Sequence, residues 1–119
     1  MSKIVQVANA MVSNPNLISG SVPAGQELFF RYKNKYNWSI KKSDDDYFLY
    51  YYPGNMSLDE LAPIASGNDW DSLDMVMYST QEICTVEAQQ TFAELYGIVK
   101  EKTYGVDVVF DDILSDLDL

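Results

Sequence analysis

The spacing of apolar positions changes several times along the chain, and each change predicts a new element. The first set recurs at helical spacing: Ile4, Val7, Ala8 and Met11. This spacing predicts an N-terminal helix, with Ser2 as its N-cap. Asn14-Pro15 should end that helix, because the residue before a proline avoids the helical conformation. The Gly- and Ser-containing segment 19–25 is interpreted as a loop.

The sequence of residues 27–52 predicts a three-stranded antiparallel meander. Its register can be argued from which side chains fall on the same side of the sheet. A three-residue loop at 33–35 keeps apolar partners on one side, whereas a two-residue loop would mix the two sides. A second loop at 43–46 then places Ile40 opposite Leu49 and Trp38 opposite Tyr51. The core side predicted by this register comprises Leu28, Phe30, Tyr32, Tyr36, Trp38, Ile40, Leu49 and Tyr51.

The second half of the chain predicts further elements. Ser57 and Glu60 have the spacing of a capping box, and Pro63 predicts that the helix after them is short or kinked. Alternation over 73–78 predicts a fourth strand. A longer helix is expected from Thr85 to Thr103 after a possible cap at Ser79, and Gly105 should end it.

A last amphipathic helix should follow, with Asp107 as a possible N-cap. Its apolar stripe comprises Val106, Val109, Phe110, Ile113, Leu114 and Leu117. Two interpretations are open: the stripe completes the core, or it docks into a groove on a partner. The expected fold is α+β in a single domain, residues 1–119. It has an antiparallel sheet (the meander plus a fourth strand), an N-terminal helix and two C-terminal helices.

Charge divides the chain into two unlike parts. The formal net charge is −10; residues 1–56 carry +2 and residues 57–119 carry −12. Such a charge should repel nucleic acid and anionic membranes. It favours a small non-enzymatic protein that binds a basic surface on another protein, of the inhibitor, immunity or regulatory type. The candidate contacts are Glu94, Glu101, Asp107, Asp111, Asp112 and Asp116.

The second side of the predicted meander supplies an alternative function. Cations and aromatic rings alternate there, as on sheets that bind single-stranded nucleic acid or small ligands. The candidate ligand-binding residues are Arg31, Asn37, Lys41, Tyr50 and Tyr52. The competing interpretation is that a helix covers this side. Exposure of Arg31, Tyr50 and Tyr52 together would separate the two.

The residue composition excludes several kinds of catalytic and metal site. The chain has no histidine, which removes Ser–His and Cys–His nucleophilic sites. One cysteine, Cys84, is expected to be a buried small side chain, and zinc sites of histidine and cysteine are excluded. Segment 69–74 begins like a calcium loop but lacks its glycine and final glutamate, so neither a metal nor a cofactor is expected. A carboxylate-dependent hydrolase stays open as a third hypothesis.

Location and assembly are less constrained. A single cysteine, a polar N-terminus and the lack of a long apolar run predict a cytoplasmic protein without a membrane segment. The unlike charges of the two halves would permit head-to-tail assembly, but they would equally permit attraction within one molecule. The oligomeric state stays open.

Overall fold

A computed structural model describes residues 2–54, 56–66 and 73–117. Within them the fold is α+β, built on a five-stranded antiparallel sheet. Each strand pairs with the next one in sequence, so β1 and β5 form the two edges. The strands are β1 (Ile18–Ala24), β2 (Glu27–Tyr32), β3 (Tyr36–Ser43), β4 (Asp46–Tyr52) and β5 (Val76–Ser79).

The helices are α1 (Lys3–Ser13), α2 (Leu58–Ser66), α3 (Thr80–Ile83), α4 (Val86–Tyr104) and α5 (Val106–Leu114). Short 3₁₀ turns follow α1 and α5, at Pro15–Leu17 and Ser115–Leu117. The predicted N-cap of α1 is present, since the Ser2 side chain accepts from Val5 N–H. The Ser79 hydroxyl accepts from Glu82 N–H, but it caps the short α3, and the long helix α4 has its own cap at Thr85. Gly105 ends α4 in the left-handed conformation, at φ 63°.

The predicted register of the meander is confirmed. Leu28 lies opposite Ile40 and Tyr32 opposite Tyr36, so the loop between β2 and β3 is the three residues 33–35. Lys33 and Asn34 turn the chain with φ of 58° and 55°. The pairing of β3 with β4 also agrees, although pairing continues to Ser43 and Asp46 and leaves a two-residue turn.

Four expectations for single elements are corrected. Segment 19–25 is largely strand β1, because the edge of β2 offers hydrogen-bonding partners that outweigh its weak strand composition. An irregularity between Ser19 and Val22 and an edge position accommodate its glycine and proline. The strand expected at 73–78 is Val76–Ser79. Gly105, and not Asp107, occupies the N-cap of α5, and Cys84 is an exposed, left-handed C-cap of α3.

Helices cover both sides of the sheet. On the predicted core side, α1 and α4 pack over the strands, with Phe30, Ile40, Leu49, Phe92 and Leu95 fully buried. On the other side, α2 packs Leu58 and Leu61 against Phe29 and Tyr52. Burial of apolar area at about 25 cal/mol per Å² makes these two clusters the main stabilising contacts of the fold.

The C-terminal helix lies outside both clusters. None of residues 107–117 is buried. The interpretation that its apolar stripe completes the core is therefore wrong. The molecule is elongated as well, with principal extents of 54 × 34 × 27 Å.

Candidate functional site

An exposed apolar surface on α5 and the following turn is the first feature of the candidate site. Five large side chains there are between 51% and 78% exposed. We call them the C-terminal stripe: Val109, Phe110, Ile113, Leu114 and Leu117. At 100° per residue they fall within one side of the helix. A stripe of this kind on a helix normally packs against a core, but the described part of the chain does not bury this one.

Carboxylates border the C-terminal stripe. The four candidate contacts on this helix are all exposed, as contacts with a partner must be: Asp107, Asp111, Asp112 and Asp116. Helical geometry places Asp107 beside Leu114 at one border and Asp116 beside Val109 at the other. The surface therefore combines an apolar centre with a negative rim. Val108, which is 74% exposed, lies on the opposite side of the helix.

The two acidic candidates on α4 are placed differently from each other. Glu94 and Glu101 are exposed and seven residues apart, so they share one side of α4. Glu101 and Asp107 line the same shallow cavity of about 450 Å³ beside β1, together with Lys102. The structure thus places Glu101 and the cation Lys102 near Asp107 of α5. Glu94 lies two helical turns from Glu101 along α4.

The ligand-binding surface considered on the other side of the sheet is not open. Asn37 is 1% and Tyr52 is 3% exposed, since α2 packs over this side. The Asn37 amide donates to the carbonyl of Met56. Tyr52 Oη lies 2.8 Å from Ser39 Oγ and 3.3 Å from Glu27 Oε2. Both side chains are committed to internal contacts.

The remaining residues of that set are half-buried. Lys41 Nζ lies 5.3 Å from the centre of the Phe48 ring, and Arg31 Nη2 donates to the carbonyl of Lys35. Burial raises the pKa of the Tyr50 hydroxyl, and the nearby Glu27 carboxylate adds to the shift. These contacts do not assemble the row of exposed rings that base stacking requires.

An aromatic groove on the predicted core side is the second feature of the candidate site, and sequence reasoning missed it. Its volume is about 640 Å³. α1 forms one wall with Val7, Ala10 and Met11. The other walls include Tyr32, Tyr36, Trp38, Tyr51 and Tyr78. We call this the aromatic groove.

Ring contacts hold the floor of the aromatic groove together. The ring centres of Trp38 and Tyr51 are 5.0 Å apart, and those of Tyr36 and Tyr51 are 6.5 Å apart. Tyr36 remains 37% exposed, because the helices cover the middle of the sheet and leave this end open. Among the described residues, the buried Trp38 Nε1 has no hydrogen-bond partner.

Positive charge lies at the mouth of the aromatic groove. Lys33 lines it, and Lys35 Nζ lies 5.0 Å from the centre of the Tyr36 ring. Arg31 belongs to the other side of the sheet, although its Nη2 donates to the Lys35 carbonyl, and it does not line the groove. We call Lys33 and Lys35 the basic turn. Their nearness to each other was visible in the sequence, but their nearness to a groove depends on how α1 packs.

Within the described ranges, no cluster of three or more metal-ligating side chains occurs. Segment 69–74, considered as a calcium loop, lies mostly outside the described residues. Across the same ranges, none of the helices combines the length and the apolar character needed to cross a bilayer.

Comparisons with protein-family models, with curated protein sequences and with solved structures found no match to this chain.

Proposed function

We propose that this chain is a small, non-enzymatic interaction protein of the inhibitor, immunity or regulatory type. It docks its acidic C-terminal helix onto a partner protein that offers an apolar groove with a basic rim. The observation that carries the proposal is the exposure of the C-terminal stripe, whose side chains are between 51% and 78% accessible. Large exposed apolar patches with polar borders mark interaction surfaces in soluble proteins.

The two components of this surface have different roles in binding. Apolar side chains that enter a partner's groove supply most of the affinity, as in other helix-in-groove complexes. Carboxylates at the border accelerate encounter with a basic surface and disfavour acidic partners. Asp107, Asp111, Asp112 and Asp116 serve this second role, while Glu101 extends the negative region along α4.

Affinity capture with matched variants tests the proposal. The full chain, an Ile113→Ser variant and a Val108→Ser control would be used to capture proteins from the native host at low salt. Ile113 lies in the stripe and Val108 on the opposite side of the same helix, and both are exposed. We expect one basic protein to be recovered by the full chain and by the control, and to be lost with Ile113→Ser.

Salt adds a second readout to the same experiment. Complex formation should slow markedly as ionic strength rises from about 0.05 M to about 0.5 M, because screening removes the steering by carboxylates. Recovery of nucleic acid by the full chain would contradict the proposal. So would a protein partner whose capture is identical for Ile113→Ser and Val108→Ser.

A further inference from the structure

We propose that a second copy of this chain is one partner of the C-terminal helix, and that the helix occupies that copy's aromatic groove. This inference rests on the proposed function, because it assigns a partner to the same C-terminal stripe. It follows from a match between two surfaces that lie apart on one molecule, the stripe and the groove.

The two surfaces match in polarity. The aromatic groove has about 640 Å³ of space, within the range of about 300–1,000 Å³ that is typical of ligand pockets. Its walls are almost entirely apolar or aromatic, from Ala10 and Met11 on α1 to Tyr36 and Trp38 on β3. The C-terminal stripe offers aliphatic and aromatic side chains on a narrow helix, which suits an open groove between a helix and a sheet.

The two surfaces also match in charge. The basic turn at the mouth of the groove contains two of the chain's eight basic residues, Lys33 and Lys35. The helix carries carboxylates at both borders of its stripe, including Asp107 and Asp116. A helix seated in the groove would therefore place acids beside the basic turn. Opposite charges around an apolar contact fix both the register and the choice of partner.

The structure does not show the helix in its own groove. Val108 of α5 instead lines the cavity beside β1, next to Ser19 and Gly20, and the stripe on the opposite side of the helix stays exposed. The association we infer is therefore between copies. Because the stripe and the groove are different surfaces, the contact is head-to-tail, and it closes as a reciprocal pair or a ring or continues as an open chain.

The first test is the molar mass of the full chain in solution over a range of concentrations, from sedimentation velocity. We expect the mass to rise with concentration above that of one copy. Ile113→Ser should weaken self-association about 10- to 100-fold, because an isoleucine side chain would no longer be buried at the contact. Val108→Ser should leave it unchanged.

The groove is tested by two variants on the other surface. Ala10→Phe adds bulk to the wall of the groove at an exposed position of α1. Lys33→Glu reverses a charge at its mouth. Both should weaken self-association about tenfold or more. Lys42→Glu is the matched control, since it makes the same change in net charge at the opposite end of β3. Circular dichroism would show that each variant is folded.

A mixing experiment identifies the contact as head-to-tail. Ile113→Ser keeps an intact groove, and Ala10→Phe keeps an intact helix, so the two variants should associate with each other more tightly than either associates with itself. A monomeric full chain at all concentrations would overturn the inference. A mass that rises equally for Ile113→Ser, or a mixture that stays monomeric, would overturn it as well.

The two proposals fail in different ways. If the full chain is monomeric but still captures a basic protein through Ile113, the proposed function stands and the second copy is not its partner. If the chain self-associates without any contribution from Ile113, the self-docking is lost, and the proposed function is lost with it only if partner capture is also identical for Ile113→Ser and Val108→Ser. Association that depends on Ile113 and on Lys33 supports the self-docking.

Discussion

The structure changes the interpretation of Tyr52, which the sequence offered as a ligand-binding residue. On an open sheet its ring would be available to a ligand, but here the side chain is 3% exposed beneath α2. Its hydroxyl contacts Ser39 and Glu27, and these three side chains form a small polar cluster beside the apolar contacts between α2 and the sheet. A buried hydroxyl with partners costs little, whereas one without partners would destabilise the fold. Tyr52 is therefore a structural residue.

Removal of that hydroxyl should lower stability and change its pH dependence. Tyr52→Phe should cost about 1 kcal/mol at neutral pH in urea unfolding, since Ser39 and Glu27 each lose a partner. Burial, aided by the charge of Glu27, raises the pKa of Tyr52 in the folded state well above its unfolded value of about 10. Its contribution is thus fully present below about pH 10 and is lost as the pH rises above it.

The measurement is the urea midpoint between pH 8 and pH 11. The full chain should lose stability above about pH 10 more steeply than Tyr52→Phe, which cannot release this proton. Tyr36→Phe, at a more exposed tyrosine of the sheet, is the control and should behave as the full chain does. Equal slopes for the full chain and Tyr52→Phe would show that this hydroxyl ionises as readily in the folded chain as in the unfolded one.

At the scale of elements, α4 and α5 are adjacent helices with opposite roles. α4 begins at the Thr85 cap, where the side chain accepts from Ala88 N–H, and buries Phe92, Leu95 and Val99. Gly105 then adopts a left-handed conformation, and α5 continues with no buried residue. One helix holds the sheet, and the other presents its apolar side to solvent.

The same substitution in the two helices should give very different results. Leu95→Ala should lower the free energy of unfolding by about 2–5 kcal/mol, because Leu95 is completely buried. Leu114→Ala should change it by less than about 0.5 kcal/mol, because that side chain is 56% exposed. Both are measured by urea unfolding of dilute protein. A large loss for Leu114→Ala would mean that α5 packs on its own domain in solution.

At the scale of the whole molecule, charge is the dominant feature. A net charge of −10 on 119 residues makes the folded chain repel itself, because folding brings the carboxylates closer together than they are in the unfolded chain. The position of the charges also matters. Carboxylates border the exposed helix, while Lys33 and Lys35 lie at the basic turn. The acids of α5 and the cations of the basic turn are therefore on separate elements.

Salt should stabilise the fold for this reason. As ionic strength rises from about 0.01 M to about 0.15 M, the screening length falls from about 30 Å to about 8 Å, which weakens the self-repulsion. The urea midpoint of the full chain should increase over this range. A Glu87→Gln/Glu94→Gln variant, with two fewer negative charges at exposed sites of α4, should show a smaller increase. A midpoint that falls with salt would mean that attraction between opposite charges dominates.

Much of the meander is predictable because its information is local. Alternation fixes which side chains share a face, so the pairing of Phe30 with Trp38 follows from the residues of β2 and β3 alone. Caps are local as well: Ser2 begins α1 and Gly105 ends α4 as predicted, whereas Ser79 begins the short α3 and not the long helix. Strand β1 was missed because its pairing depends on the free edge of β2 and not on its own residues. The same limit applies to the aromatic groove, which depends on where α1 lies.

The sequence by itself determined the α+β class, the register of β2 to β4, the amphipathic character of α5 and the missing imidazole chemistry. These properties follow from residue types and from periods of two and 3.6 residues, which act over a few neighbours. The tertiary structure alone decided that α2 covers Tyr52, that α5 stays outside the core and that one end of the sheet remains open as a groove. Burial is a property of contacts between distant segments, and a local pattern shows which side of an element is apolar without showing what will cover it.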